Sequence, residues 1–132
     1  MAPSDEARQM LAIAMKDWRA LAGMANPEVF VDEIFGFHAQ QATEKALKAW
    51  LSLLGVGYPQ THDLSLLIGL LGEQNQDVEG LYDLIEFNPY AVQYRYAAFD
   101  EIGIQLDRDA VIARVAFVLQ QVEIMIEAAS RG

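Results

Sequence analysis

Apolar residues recur at steps of three and four through most of this chain of 132 residues, which is the spacing of one face of an α-helix. No segment of convincing length alternates as a β-strand does. The predicted helices cover about residues 5–24, 26–54, 61–72, 78–87 and 107–128. Short turns with Gly, Pro and Asn separate them. The pattern therefore predicts one all-α domain over residues 1–132, an up-and-down antiparallel bundle of four or five helices.

Capping residues predict where the first two helices begin. Ser4 is the predicted N-cap of the first helix, because it precedes two acids that suit a first turn. Asn26 and Pro27 are predicted to end that helix and to start the second, with proline at the first helical position. The apolar residues after Pro27 allow another interpretation, a looser lead-in with Gly36 as a weak point in the helix.

Two polar residues, Gln40 and Glu44, share the apolar side of the second predicted helix with Leu47. If they are buried they need partners, since an unpaired buried polar group costs about 1–3 kcal/mol. The alternative is that they lie at the edge of the apolar stripe and reach solvent, as polar residues usually do. Lys45 and Lys48 either add to an anion site or are solvated helix charges, with Glu44 and Lys48 as an ordinary i,i+4 pair.

The chain from residue 88 to residue 106 is predicted to be a long irregular connection, because Asn88 and Pro89 stop the fourth helix. Its polar aromatic cluster comprises Tyr90, Tyr94, Arg95 and Tyr96. A guanidinium grips a phosphate bidentately and tyrosine stacks on a base, so the cluster is a candidate nucleotide pocket. Gln40, Glu44 and Lys45 are candidate contributors to it. The alternative is a structural arginine that ties the connection to an acid such as Glu44.

Charge and composition limit the classes of partner that the chain is expected to bind. The net charge of −10 repels nucleic acid and anionic membranes at long range, so no general nucleic-acid affinity and no membrane association are expected. The hydrophobic fraction of 53% favours self-association. Without cysteine there is no thiolate chemistry, and two histidines make no typical metal site. The segment MAPSDEARQML lacks the pattern of a signal peptide, so we expect a cytoplasmic protein.

The last predicted helix has two apolar faces. One is a seam of Val111, Val115, Val118, Val122 and Met125. Phe117 and Ile124 lie on another side of the same helix. A helix with two apolar faces needs two partners, and the seam is predicted to face the bundle. The Phe117/Ile124 side is a candidate homodimer contact; the alternative is that a neighbour in the same bundle covers it.

Two motifs in order carry a resemblance to a known family. The string HAQQATEKALKAWL, a turn with Tyr58 and Pro59, and then THDLSLLIGLL resemble bacterial HEPN domains (higher eukaryotes and prokaryotes nucleotide-binding). YAVQYRY, which holds Arg95, is similar to the segment before the last helix of that family. The resemblance runs from about Leu11 to Ala128. It implies a helical bundle that commonly dimerises, without a cofactor or a metal.

Catalytic members of that family are metal-independent ribonucleases, whose signature is an Arg followed after four to six residues by a His. A histidine of near-neutral pKa moves the proton while arginine holds the phosphate. The positions so spaced beyond Arg95 are 100–102, Asp-Glu-Ile, and Arg108 also lacks a downstream histidine. The only histidines are His38, expected at a surface or interface, and His62, expected in the cap of the third helix or in a turn hydrogen bond.

Two functions follow from the resemblance. The first is a non-catalytic, nucleotide-binding partner subunit of a minimal nucleotidyltransferase, in a toxin–antitoxin-like pair. The second is a divergent ribonuclease toxin that uses Arg95 with its tyrosines or with a distant histidine brought in by the dimer. A helical adaptor without a ligand is the third possibility.

Overall fold

A computed structural model of the protein describes residues 3–93 and 107–131. Its elements are α1 (Pro3–Ala22), α2 (Asp32–Leu53), α3 (Leu64–Glu73), a 3₁₀ helix (Glu79–Phe87), α4 (Asn88–Gln93) and α5 (Arg108–Arg131). All regular structure in these ranges is helical, which confirms the all-α prediction. Within the same ranges, no helix combines the length and apolarity needed to cross a bilayer. Three residues of the predicted pocket, Tyr94, Arg95 and Tyr96, lie outside the described residues.

Two polar contacts hold α1 antiparallel to α2. Near the end of α1, Asp17 Oδ1 lies 3.1 Å from Nδ1 of His38, which is early in α2. Near the start of α1, Glu6 Oε2 accepts a hydrogen bond of 3.1 Å from the hydroxyl of Ser52, at the end of α2. The two helices therefore form a hairpin. His38 lies at this helix interface and is half-buried, within the expectation of a surface or interface position.

α1 is also antiparallel to α5. Trp18 Nε1 donates to the carbonyl oxygen of Ile112 over 3.0 Å, so the end of α1 meets the start of α5. At the opposite end, Arg8 Nη2 donates to Ser130 Oγ. Both α2 and α5 therefore run opposite to α1, as the up-and-down prediction requires.

The core gathers around α2, which packs against each of the other helices. Fourteen of its 22 residues are buried. Four alanines without any exposed surface, Ala39, Ala42, Ala46 and Ala49, let the neighbouring helices approach it closely. Leu47 and Leu51 fill the space between them.

The two faces of α5 separate as predicted. The valines of the seam, Val111, Val115, Val118 and Val122, are buried, and Met125 packs partly buried against the core. Phe117 and Ile124 are 60% and 62% exposed, so no part of the described bundle covers them. The alternative of a buried neighbour within the bundle is therefore wrong for the described residues.

The predicted starts of α1 and α2 are wrong. α1 begins at Pro3, which places Ser4 inside the helix rather than at its N-cap. α2 begins at Asp32, five residues after Pro27. Asn26 caps a turn instead, since its Oδ1 accepts a hydrogen bond of 2.9 Å from the amide of Glu28. The looser lead-in is therefore the interpretation that the structure supports.

Asn88 joins the start of α3 to the start of α4, two elements that no local sequence pattern connects. α3 has Asp63 as its N-cap, and Asn88 Oδ1 accepts from the amide of Leu64 over 2.8 Å while its Nδ2 donates to Asp63 Oδ1 over 2.9 Å. The hydrogen bond from the Ser65 side chain, with that from Asn88, outweighs desolvation and lowers the pKa of Asp63. Asn88 also starts α4, so residues 88–93 are helical and the predicted irregular connection is wrong there.

Gly36 is a site of close packing rather than a weak point. It is buried in α2, and a Cβ placed on it would lie 2.7 Å from Cδ2 of Tyr90 and nearer still to Cγ and Cδ1. Tyr90 is 2% exposed. The ring thus occupies the volume that any other residue at position 36 would need, and this contact anchors α4 on α2.

Replacing Gly36 by alanine is expected to lower the free energy of unfolding by about 1–3 kcal/mol, because the new methyl group overpacks the contact with Tyr90. Gly69→Ala is the matched control: Gly69 also lies within a helix, but a Cβ placed on it would meet nothing within 4 Å. That variant is expected to gain up to about 1 kcal/mol from helix propensity. Urea unfolding followed by circular dichroism measures the free energy of unfolding of both variants. Equal stability of the two variants would show that position 36 has room.

Candidate functional site

The carboxylate of Glu44, in the middle of α2, is surrounded by four hydrogen-bond donors. Its Oε1 lies 2.9 Å from Gln40 Nε2 and 2.8 Å from His62 Nδ1. Its Oε2 accepts from Lys48 Nζ over 2.9 Å and from Lys45 Nζ over 3.3 Å. The side chain is 1% exposed. We refer to these residues, together with Gln41, as the Glu44 cluster.

Helical spacing assembles most of the Glu44 cluster. Gln40, Glu44 and Lys48 follow each other at steps of four and so lie along one side of α2. On the adjoining side, Gln41 donates to Gln40 Oε1 over 2.7 Å and accepts from Lys45 Nζ over 2.9 Å. One helix therefore supplies five of the six residues.

The sixth residue comes from the connection before α3. Gln40 Nε2 donates to the carbonyl oxygen of His62 over 2.9 Å, while the imidazole of His62 reaches Glu44. The predicted role of His62 in the helix cap is wrong, because Asp63 caps α3. Its hydrogen bonds tie the connection to α2 instead. No spacing rule in the sequence marks this contact between residues 18 positions apart.

The burial of the Glu44 cluster distinguishes the buried from the solvated interpretation of its residues. Gln40 and Glu44 are 0% and 1% exposed, so the interpretation that they reach solvent is wrong. Lys48 is 9% exposed, and its Nζ lies 5.7 Å from the ring centroid of Tyr58. The interpretation of Lys48 as a solvated charge is therefore also wrong, although its i,i+4 pair with Glu44 exists. The connection around Tyr58 covers a side of α2 that periodicity alone would leave open.

Glu44 is ionised at any physiological pH. Burial by itself raises the pKa of a carboxyl group, but hydrogen bonds from Gln40, Lys48 and His62, with the charge of Lys45, outweigh it and lower the pKa of Glu44 to about 2. One carboxylate thus faces two ammonium groups. The Glu44 cluster carries a net positive charge within a chain whose net charge is −10.

Two members of the cluster face solvent. The side chain of His62 is 61% exposed and that of Lys45 is 20% exposed. Because an ionised carboxylate only accepts, Glu44 places the proton of a neutral His62 on Nδ1. The other ring nitrogen, Nε2, is then left as a proton acceptor. A carboxylate that orients an exposed imidazole is an arrangement suited to proton transfer.

A second polar contact surrounds Arg108, at the start of α5. Its guanidinium donates to the carbonyl oxygen of Met24 and to Asp32 Oδ1, each over 2.7 Å, and lies 4.8 Å from the ring centroid of Phe35. Arg108 is 6% exposed. It ties α5 to the start of α2 and is therefore structural in the described chain. Sequence reasoning missed this role, since its partners lie 76 and 84 positions away.

The predicted pocket residues fall into three groups. Gln40, Glu44 and Lys45 are brought together in the Glu44 cluster. Tyr90 packs on Gly36, one helical turn before Gln40 on α2, and there desolvation and then the charge of Asp32 raise its pKa. Tyr94, Arg95 and Tyr96 are outside the described residues. Among the described residues, no three His, Asp or Glu side chains are grouped so that they could hold a metal ion.

Comparison with known proteins gives one result. The family model described as HEPN domain matches residues 7–130, which is nearly the whole chain. No curated protein and no solved structure matches the chain significantly.

Glu44→Gln is expected to destabilise the protein at neutral pH, because the amide cannot match the charge of Lys48. A pKa lowered from 4.5 to about 2 means that this carboxylate contributes stability above about pH 4.5 that is lost as pH falls toward 2. The contribution is of the order of 3 kcal/mol. Between pH 5 and pH 2 the wild type should therefore lose more unfolding free energy than Glu44→Gln.

Chemical denaturation across this pH range makes the comparison, with Glu73→Gln as the control. Glu73 is an exposed carboxylate of α3. Its variant should follow the wild-type curve. A Glu44→Gln curve parallel to wild type would mean that the buried carboxylate does not stabilise the fold.

Proposed function

Since the chain belongs to the HEPN-domain family, we propose that it is a non-catalytic subunit that binds a nucleotide and a protein partner. The partner is a minimal nucleotidyltransferase, and the two form a toxin–antitoxin-like pair in a bacterial cytoplasm. The subunit acts as a homodimer through the Phe117/Ile124 side of α5.

The positions of the histidines carry the non-catalytic part of this proposal. Catalytic members of the family need a histidine four to six residues beyond the arginine. Both histidines of this chain precede Arg95, and His62 does so by 33 positions. His38 Nδ1 lies 3.1 Å from Asp17 and His62 Nδ1 lies 2.8 Å from Glu44, so each is engaged in joining elements of the bundle. Binding is the function that remains for Arg95.

Two described features support a nucleotide site that includes the Glu44 cluster. The cluster has net positive charge, and the ammonium group of Lys45 is partly exposed beside it, which favours a phosphate group over the acidic surface elsewhere. Tyr90 fixes α4 one turn away on α2, and Arg95 follows the end of α4 by two positions in the sequence. In the proposal Arg95 and Lys45 hold the phosphates, and Tyr94 and Tyr96 stack on the base.

Calorimetric titration with ATP tests the binding site. The wild type should release heat, and Arg95→Ala should bind at least about tenfold more weakly, the effect of losing one charge-assisted hydrogen bond. Arg19→Ala, which removes an exposed arginine from α1, is the matched control and should bind as the wild type does. If no nucleotide gives heat with the wild type, the isolated protein has no such site.

One observation favours a second function, a divergent ribonuclease. Glu44 orients an imidazole whose side chain is 61% exposed, as a general base requires. In this alternative His62 removes the proton from a ribose 2′-hydroxyl and Arg95 holds the phosphate. The two residues come from one chain or from the two chains of the dimer.

RNA hydrolysis by the purified protein separates the two functions. If His62 is the base, His62→Ala should abolish cleavage, whereas His38→Ala should keep it, since His38 is more buried and is held against Asp17. Equal loss in both variants would point to folding rather than to chemistry. A wild type that cuts no RNA and binds ATP would leave the binding subunit as the function.

A further inference from the structure

His62 has one ring nitrogen held by the bundle and one that is free. Its Nδ1 lies 2.8 Å from Glu44 Oε1, and its carbonyl oxygen accepts a hydrogen bond of 2.9 Å from Gln40 Nε2. Among the described residues, no side chain or backbone group bonds to the other ring nitrogen, Nε2. The side chain is 61% exposed. The imidazole is therefore fixed at two points and presents Nε2 to solvent.

Glu44 makes this free nitrogen a nucleophile. Burial raises the pKa of its carboxyl group, but hydrogen bonds from Gln40, Lys48 and His62 outweigh burial and lower the pKa to about 2. The ionised carboxylate keeps the proton of a neutral His62 on Nδ1, so the lone pair is on Nε2. Its negative charge also stabilises the positive charge that the ring acquires when Nε2 forms a bond. Nε2 is thus more reactive in the folded chain than in an unfolded one.

Positive charge lies close to this nucleophile. The ammonium groups of Lys45 and Lys48 bind Oε2 of Glu44, while Oε1 of the same carboxylate meets His62. Lys45 is 20% exposed, so its charge is felt in the solvent beside the imidazole. The nearest acid along the chain, Asp63, is engaged as the N-cap of α3. An anionic reagent is therefore attracted to the exposed side of the ring.

We propose that His62 Nε2 is a phosphorylation site whose donor is a small phosphoramidate or acyl phosphate. The lone pair of Nε2 attacks phosphorus and forms an N–P bond. The P–N or P–O bond of the donor breaks, and its electron pair leaves with ammonia or with the carboxylate. Nδ1 keeps its proton throughout, and Glu44 stabilises the phosphorylated imidazolium. Glu44 and Gln40 are positioning residues, since they orient the ring without touching the donor.

This inference does not rest on the nucleotide site or on RNA cleavage. The mass of the protein reports phosphorylation whether or not ATP binds, and calorimetry with Arg95→Ala reports on the nucleotide site alone. A phosphoryl group carries about two negative charges and three acceptor oxygens, and it would lie beside Lys45. If both sites exist, phosphorylated protein should therefore bind ATP more weakly than unmodified protein.

Reaction of the purified protein with potassium phosphoramidate, and separately with acetyl phosphate, tests the site. Peptide mapping by mass spectrometry measures the rate at each histidine, in native protein and in protein unfolded in guanidinium chloride. With at least one donor, His62 should react about tenfold faster in the native chain than in the unfolded one. His38 is an internal control, because its side chain is only 26% exposed and is held against Asp17. It should react more slowly in the native chain than in the unfolded one.

This comparison needs no variant and separates activation from exposure. If His62 reacts no faster in the native chain than in the unfolded chain with either donor, the site is exposed but not activated, and the proposal is wrong. Equal rates at His62 and His38 in the native chain would also overturn it.

Two variants test the role of the carboxylate. In the native wild type, nuclear magnetic resonance should show Nε2-phosphohistidine alone, because Nδ1 of His62 faces Glu44. Glu44→Gln should react about tenfold more slowly and give a share of the Nδ1 isomer, since a neutral amide neither stabilises the imidazolium nor fixes its tautomer. Glu73→Gln, at an exposed carboxylate of α3, is the matched control and should react as the wild type does. Circular dichroism checks that both variants are folded. A folded Glu44→Gln that matches the wild type in rate and isomer would contradict the role of Glu44.

Discussion

An ionised carboxylate in the interior of the bundle sets the arrangement of the elements around it. Removing Glu44 from water is costly unless its charge is paired, and α2 supplies only part of the pairing. The rest comes from His62, which fixes the connection before α3 onto α2. The next residue, Asp63, caps α3 and binds Asn88, so the start of α4 is positioned in turn. Directional polar contacts thus determine where the shorter helices begin.

The same contacts explain how one fold can serve binding or catalysis. The bundle provides rigid helices, and chemistry depends on a few side chains at their edges. In this chain the histidines hold α2 to its neighbours, while Lys45 and one edge of His62 remain at the surface. Membership of the HEPN-domain family therefore establishes the scaffold. The activity has to be argued from the residues that this chain places on it.

Helical periodicity correctly predicts which side chains are buried and which are exposed where this depends only on the helix to which they belong. The valine seam of α5 and the exposure of Phe117 follow from a repeat that any helix expresses. The failures concern partners that are distant in sequence. Lys48 is buried because the connection around Tyr58 folds over it, and Arg108 is structural because Asp32 lies beside it. No local sequence pattern predicts either contact. The predicted start of α2 was wrong for a different reason. Asn26 can cap either a helix or a turn, and in this structure it caps a turn. Packing of the whole bundle decides between two such local uses.

The contact between Gly36 and Tyr90 limits the sequences that this fold can reach by single substitutions. Because the ring fills the space of a Cβ at position 36, a larger residue there is compatible only with a smaller one at position 90. The order of changes then matters: reducing the tyrosine first leaves a cavity, and enlarging the glycine first creates a clash. Each single change therefore lowers the stability of the fold. Positions 36 and 90 are thus energetically coupled across the contact between α2 and α4.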